Sequence, residues 1–174
     1  NPTIRPTHMQ GAGGIVAANH MFNRAKRDGT VVGMIHRGAV STGPLYHKGG
    51  GIKYDPSKFT WLGSIDTSSS FCVAWHTSAL NTANDLKKVT FVAGGLGPGA
   101  NTDIFSHLLN NMFGTKIQLI TGYGSGDAIN LAMERGEIDG RCSWSIGSIR
   151  ATRGPWLRDK KIKFLLEIGL KKSG

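Results

Sequence analysis

Apolar residues recur along this chain in two rhythms. Behind Gly11-Ala12-Gly13-Gly14, the residues Ile15, Ala18, Phe22 and Ala25 follow at intervals of three and four, which predicts a helix with one apolar face ending near Asp28-Gly29. Short runs rich in Val, Ile and aromatic residues predict strands over 30–36, 59–65, 71–76, 89–93, 117–121, 138–144 and 162–168. Phe105, Leu108, Leu109 and Met112 predict a second helix closed by Gly114, and 128–135 a third stopped by Gly136. Residues 84–88 read as a short helical turn. Over 37–58 glycine, serine, proline and lysine displace the periodicity, apart from Leu45 and Tyr46, so a long loop with one helical turn is expected. The polar break at 66–70 is a candidate hinge, and the stretch holding Pro155 reads as a loop.

From residue 71 onward strands and helices alternate, the pattern of an α/β domain with parallel strands joined by crossover helices. In such sheets ligands sit beyond the carboxyl ends of the strands. Two glycine-rich loops fall there, 94–99 and 122–126.

With 174 residues, 39% of them hydrophobic, the chain can bury a core, and wholesale disorder is excluded. No run approaches the roughly 18–20 apolar residues needed to span a bilayer. The N-terminus has no Met start and no charged-then-apolar export segment, as expected if a signal was removed or the chain is a piece of something longer. The 21 Lys and Arg against 11 Asp and Glu give a net charge of +10, which favours anionic partners. Many of the basic residues lie between Arg150 and Lys172, as a solvated face would have them.

The run Gly95-Leu96-Gly97-Pro98-Gly99-Ala100 fits the spacing of a dinucleotide fingerprint, but Thr121-Gly122-Tyr123 stands where the ribose-binding acid belongs. What remains is a loop whose backbone amides approach an anion at a helix N-terminus, with Asn101 and Thr102 adding side-chain hydrogen bonds. The alternative is a plain strand-to-helix turn. Ser125 lies outside a G-x-S-x-G elbow. The six histidines offer no metal-ligand spacing, and no pair of acids is placed across a cleft. Catalytic residues, metal ligands and cofactors are accordingly not expected. Cys72 and Cys142 fall in two predicted strands, where either a bridge or two buried thiols fits.

The order Gly11-Ala12-Gly13-Gly14, Ala18-Asn19, Asn23, Asp28-Gly29-Thr30, 59–64, Gly122-Tyr123 and 132–140 resembles the extracytoplasmic solute receptors of tripartite tricarboxylate transporters, the TctC or Bug family. One departure is Gln10, where relatives carry Pro ahead of the glycine run. The resemblance implies a two-lobed, type II-like periplasmic binding protein truncated at both ends: a partial first lobe over 1–66, a near-complete second lobe over 67–163, and a return crossing at 164–174. It implies a small carboxylate gripped by Gly97, Gly99, Ala100, Asn101 and Thr102 together with Gly122 and Tyr123. Gly13, Gly14 and the loop after His36 would face them from the first lobe, and Trp144 and Ser145 would border the cleft. Membrane subunits of the transporter would be the partners and the periplasm the location, with nucleic acid not expected. The family topology also puts 71–76 beside 138–144, so that Cys72 nears Cys142 and is bridged to it in an oxidised sample. A small α/β enzyme such as a hydrolase, a basic nucleic-acid-binding domain, and a truncated chain that binds nothing and associates through sheet edges are the alternatives.

Overall fold

A computed structural model describes residues 3–41, 51–64 and 69–169. Five strands form one mixed sheet: β1 (Ser70–Trp75), β2 (Phe91–Gly94), β3 (Ile117–Ile120), β4 (Gly140–Ser145) and β5 (Ile162–Ile168). Their order is β3-β2-β4-β1-β5. β2 runs parallel to β3 and β4, whereas β1 is antiparallel to both β4 and β5. The expected parallel sheet is therefore correct for the middle of the chain, and β1 and β5 add an antiparallel side. The placement of β1 beside β4 agrees with the topology the resemblance implied.

Alternation along β1 explains how the sheet is covered on both faces. Cys72 and Ala74 point into a cluster with Leu80, Leu86, Phe91 and Leu109, while Val73 and Trp75 point into the opposite cluster with Ile129, Met133, Ile149 and Trp156. The helices follow that division. Following two shorter helices nearer the N-terminus, α3 (Asn101–Phe113) supplies Leu109 to the first face. α4 (Gly126–Glu134) and α5 (Ile146–Arg158) cover the second. Gly114 closes α3 at φ 65° and Gly136 follows α4 at φ 71°, left-handed conformations that glycine adopts without a Cβ penalty.

Cys72 and Cys142 are joined by a disulfide between neighbouring strands. The register jumps beside it: Phe71 opposes Trp144 and Val73 opposes Arg141, so Cys142 and Ser143 together oppose Cys72. This is a β-bulge, and Ser143 takes φ 63°, uncommon for a residue with a side chain.

Several expected elements differ in the structure. Residues 30–36 and 59–64 form no strand, because among the described residues no strand lies alongside to accept their backbone hydrogen bonds; Val32, Met34 and Leu62 remain exposed. The segment around Pro155 is helical, as α5. It is kinked at Arg153, whose φ of −141° and ψ of 36° break the spiral two residues before the proline. The first helix, α1 (Ile15–Asn23), stops earlier than its apolar spacing predicts. The loop after His36 holds two helical turns, α2 (Arg37–Ser41) and a 3-10 turn at Pro56–Lys58. The expected hinge at 66–70 lies mostly outside the described residues, as do Leu45 and Tyr46.

The N-terminal part has an apolar cluster of its own: Ile15, Ala18, Ala39 and Tyr54, with Phe22 and Phe59 packed against it. Asn19 and Asn23 fasten α1 to the backbone of Gly51 and Lys53 at 2.7–2.8 Å.

Candidate functional site

The strand order reverses direction at β2. The chain leaves β2 through α3 to reach β3 on one side, then crosses by α4 to β4 on the other, with the two helices on opposite faces. A crevice outside the carboxyl ends of β2 and β4 follows from that geometry. A cleft of about 610 Å³ lies there. One wall comes from Leu96, Gly126, Asn130, Arg141, Trp144 and Ser145, and the other from 34–37 and Ser64.

The predicted residues divide into two groups around this cleft. Trp144 and Ser145 line it, as does His36 with Arg37 at the head of the loop expected to face the second lobe. Ser145 caps α5 by accepting the Ser148 amide at 3.2 Å, and the Trp144 indole N–H donates to the Ser148 hydroxyl at 3.2 Å. Gly97, Gly99, Ala100, Asn101 and Thr102 instead form a packed seam behind the cleft. Ala100, Asn101 and Thr102 are all buried, and the Ala100 amide is spent on Gly97 O at 3.0 Å.

Asp103 explains much of that seam. Its carboxylate is 4% exposed and accepts from the Gly97 amide at 3.1 Å, the Thr102 hydroxyl at 2.8 Å and the Thr121 hydroxyl. The same Thr102 hydroxyl accepts the Leu96 amide at 3.1 Å. Thr102 is thus committed to holding the loop, and its expected bond to a bound carboxylate has no free donor. At Gly95 a Cβ would stand 2.5 Å from the Asp103 carboxylate, which is why a glycine stands there. The loop's anion is built in.

Across the seam lies the N-terminal glycine turn. A Cβ on Gly13 would fall 2.6 Å from the Ala100 nitrogen, and one on Gly14 would come 3.3 Å from the His36 Cβ. Gly13 therefore meets the loop ahead of α3, and Gly14 the His36 segment, by close approach. Gly122, at φ 98°, turns the chain after β3, and the Tyr123 amide donates to Gly95 O at 3.1 Å, tying the two glycine loops together. The Tyr123 ring packs on the Trp144 side of the core, and desolvation raises its hydroxyl above the ordinary range.

Arg141 was not among the predicted residues. It sits on β4, 5% exposed, with its guanidinium 4.9 Å from the centre of the Trp144 ring. Nη1 donates to Gly126 O at 3.0 Å and Asn130 Oδ1 at 3.2 Å, while Nε has no hydrogen-bond partner. Burial pushes this guanidinium down to about 10, against a smaller opposing pull from Asp127. Asp127 itself is paired with Arg153 at 2.9 Å. On the opposite wall Arg37 donates to the Ser70 hydroxyl. Desolvation, then the cations Arg37 and Arg141, hold His36 below the usual histidine range, and its Nδ1 accepts the Gly38 amide at 3.3 Å. The sequence signal for Arg141 was a single charge inside an otherwise small and apolar strand, Gly140 to Trp144.

A second hollow, of about 640 Å³, lies over α1 and includes Asn19 and Asn23. Those amides are occupied as backbone clamps.

No family model and no curated protein matches the chain. Solved structures do. A periplasmic transporter superposes with a TM-score of 0.75 at 19% identity, over 91% of this chain and 52% of its own. The periplasmic binding protein BugD gives 0.69 at 20% identity, over 94% and 54%. MatC from Rhodopseudomonas palustris, with bound malate, gives 0.59 at 18% identity, over 78% and 46%. The chain spans about half the length of each of these proteins. Its α/β sheet, with the crevice at the ends of β2 and β4, has the fold of periplasmic binding proteins.

Proposed function

We propose that this chain is part of an extracytoplasmic solute-binding protein of the tripartite tricarboxylate type, which takes a small carboxylate into a cleft between two lobes and presents it to membrane subunits of a transporter. Residues 1–66 belong to one lobe, 67–163 form the other, and 164–174 lead back towards the first. The observation that carries this reading is the cleft itself: it lies at the switch point of a periplasmic-binding-protein sheet and has guanidinium groups on both walls, Arg37 on one and Arg141 on the other. The separate apolar cluster under α1 supports two lobes, and the malate held by MatC supports a carboxylate.

Trp144, Ser145, His36 and Arg37 border the ligand in this reading. Gly97 to Thr102, Gly13, Gly14, Gly122 and Tyr123 form the frame on which the two walls meet. The role is binding, without catalysis: lobe closure over an occupied cleft gives the shape a membrane partner reads.

A thermal-shift screen of small mono-, di- and tricarboxylates tests the proposal. An acid at 100 times its Kd stabilises the native state by about 2.7 kcal/mol, a readily measured rise in Tm. A flat response across all of the acids overturns it.

A further inference from the structure

A guanidinium carries donors in a planar fork, and a buried one that lacks a counterion destabilises the folded state unless something charged arrives to pair with it. Arg141 is in that condition. Its Nη1 is spent on two neutral acceptors, its Nε is unpartnered, and among the described residues no carboxylate lies within ion-pair distance of it. The acid that influences it most, Asp127, is held by Arg153. Trp144 occupies one face of the guanidinium, so the remaining hydrogen-bonding capacity lies in the plane of the fork. The residue lines the cleft, and two positions along the strand Ser143, also in the cleft wall, holds a positive φ, the kind of local strain that collects at binding sites.

We propose that Arg141 is the residue by which the cleft recognises its solute, pairing its guanidinium directly with a carboxylate of the ligand. Recognition is then by charge from a side chain, rather than by main-chain amides of the glycine loops, whose donors at Gly97 and Ala100 are already engaged. Neutral isosteres of the solute, amide or ester, are rejected because they leave the buried cation unpaired. The choice of a carboxylate rests on the solute-binding reading above; the role of Arg141 as an anion anchor does not.

The test uses Arg141→Gln and Arg141→Lys, with calorimetric titration of the best acid from the screen and, separately, inorganic sulfate against sodium chloride of equal ionic strength in a melting assay. A charge-assisted hydrogen bond of this kind corresponds to a loss of about 10- to 150-fold in affinity. Arg141→Gln is expected to weaken the acid at least 30-fold, and Arg141→Lys, which keeps the charge without the fork, about tenfold. If a folded Arg141→Gln binds within threefold of the parent, the anchor is overturned and the solute-binding reading stands. If no acid binds but sulfate raises the Tm of the parent and not of Arg141→Gln, the anchor stands and the carboxylate reading falls. If sulfate too fails to separate the two proteins, the anchor falls. Should Arg141→Gln fail to fold, Arg141→Lys decides: affinity within threefold of the parent overturns the proposal. A purely structural Arg141 predicts a lower melting temperature for unliganded Arg141→Gln, whereas the anchor predicts an unchanged or higher one.

Discussion

Replacing Asp103 with alanine removes the acceptor around which the glycine seam is built. Three donors lose a charged partner: the Gly97 amide, the Thr102 hydroxyl and the Thr121 hydroxyl. Thr121 is exposed and finds water, so its share is small. Gly97 and Thr102 are buried, and a hydrogen bond to a charged group contributes about 1.5–3 kcal/mol, so two of them give roughly 3–6 kcal/mol. Asp103 also lies in the first turn of α3, where a negative charge adds about 0.3–1 kcal/mol against the helix dipole. Partial relaxation of the loop acts the other way, and about 4 kcal/mol is expected. With a urea dependence of about 2 kcal/mol/M, the unfolding midpoint falls by about 2 M. Asp103→Asn, which keeps one oxygen for Gly97 and Thr102, is expected to lose about half as much. A midpoint for Asp103→Ala within about 0.5 M of the parent, at unchanged slope, refutes the view that this carboxylate organises the loop.

Three more outcomes are expected. Gly38→Ala places a Cβ 2.5 Å from Gly99 O and against Asn101 Oδ1, an overpacking of about 1–3 kcal/mol that loosens the seam; cleavage within 1–64 by limited proteolysis then quickens, and an unchanged rate counts against the contact. Reducing the Cys72–Cys142 bridge, which closes a loop of 70 residues, lowers stability by about 4 kcal/mol; equal urea midpoints with and without reductant, thiols verified free, contradict this. His36 has a lowered pKa, so the unfolded chain binds the proton more readily: stability is full above its ordinary value of about 6.5 and declines as pH falls through that value. An anion seated between Arg37 and Arg141 raises His36, so binding near pH 6 takes up protons. Titrations in two buffers of different ionisation heat reveal this, and identical heats refute it.

The middle of the chain was legible because its elements satisfy themselves locally. Apolar spacing marks α3 and α4, and Gly114 and Gly136 stop them, whatever surrounds them. The segments 30–36 and 59–64 show why composition alone misleads. Their Val, Ile and Trp residues favour a strand, but a strand exists only through its neighbour, and the described residues provide none. α5 was hidden by Pro155, which reads as a break although the helix accommodates it just past a kink. Trp144 and Ser145, expected at the cleft from the resemblance and their place at a strand end, line it. The glycine loops mark the carboxyl edge of the sheet, but nothing in the sequence reveals that Asp103 folds back onto the first of them. Arg141 was lost in a count of positive charges, where the informative property was burial.

The bulge at Ser143 has a further consequence. In an uninterrupted strand residues two apart share a face, so Cys142 and Trp144 would look the same way. Here the extra residue changes the phase: Cys142 reaches the face where Cys72 waits, while Arg141 and Trp144 both turn to the other side and meet. One six-residue strand thereby carries a covalent staple on its back and a cationic, aromatic surface on its front. Flattening the bulge with Ser143 still in place would turn Cys142 and Trp144 to one face and break one of the two, so Ser143 is the residue β4 has to leave out of the pleat.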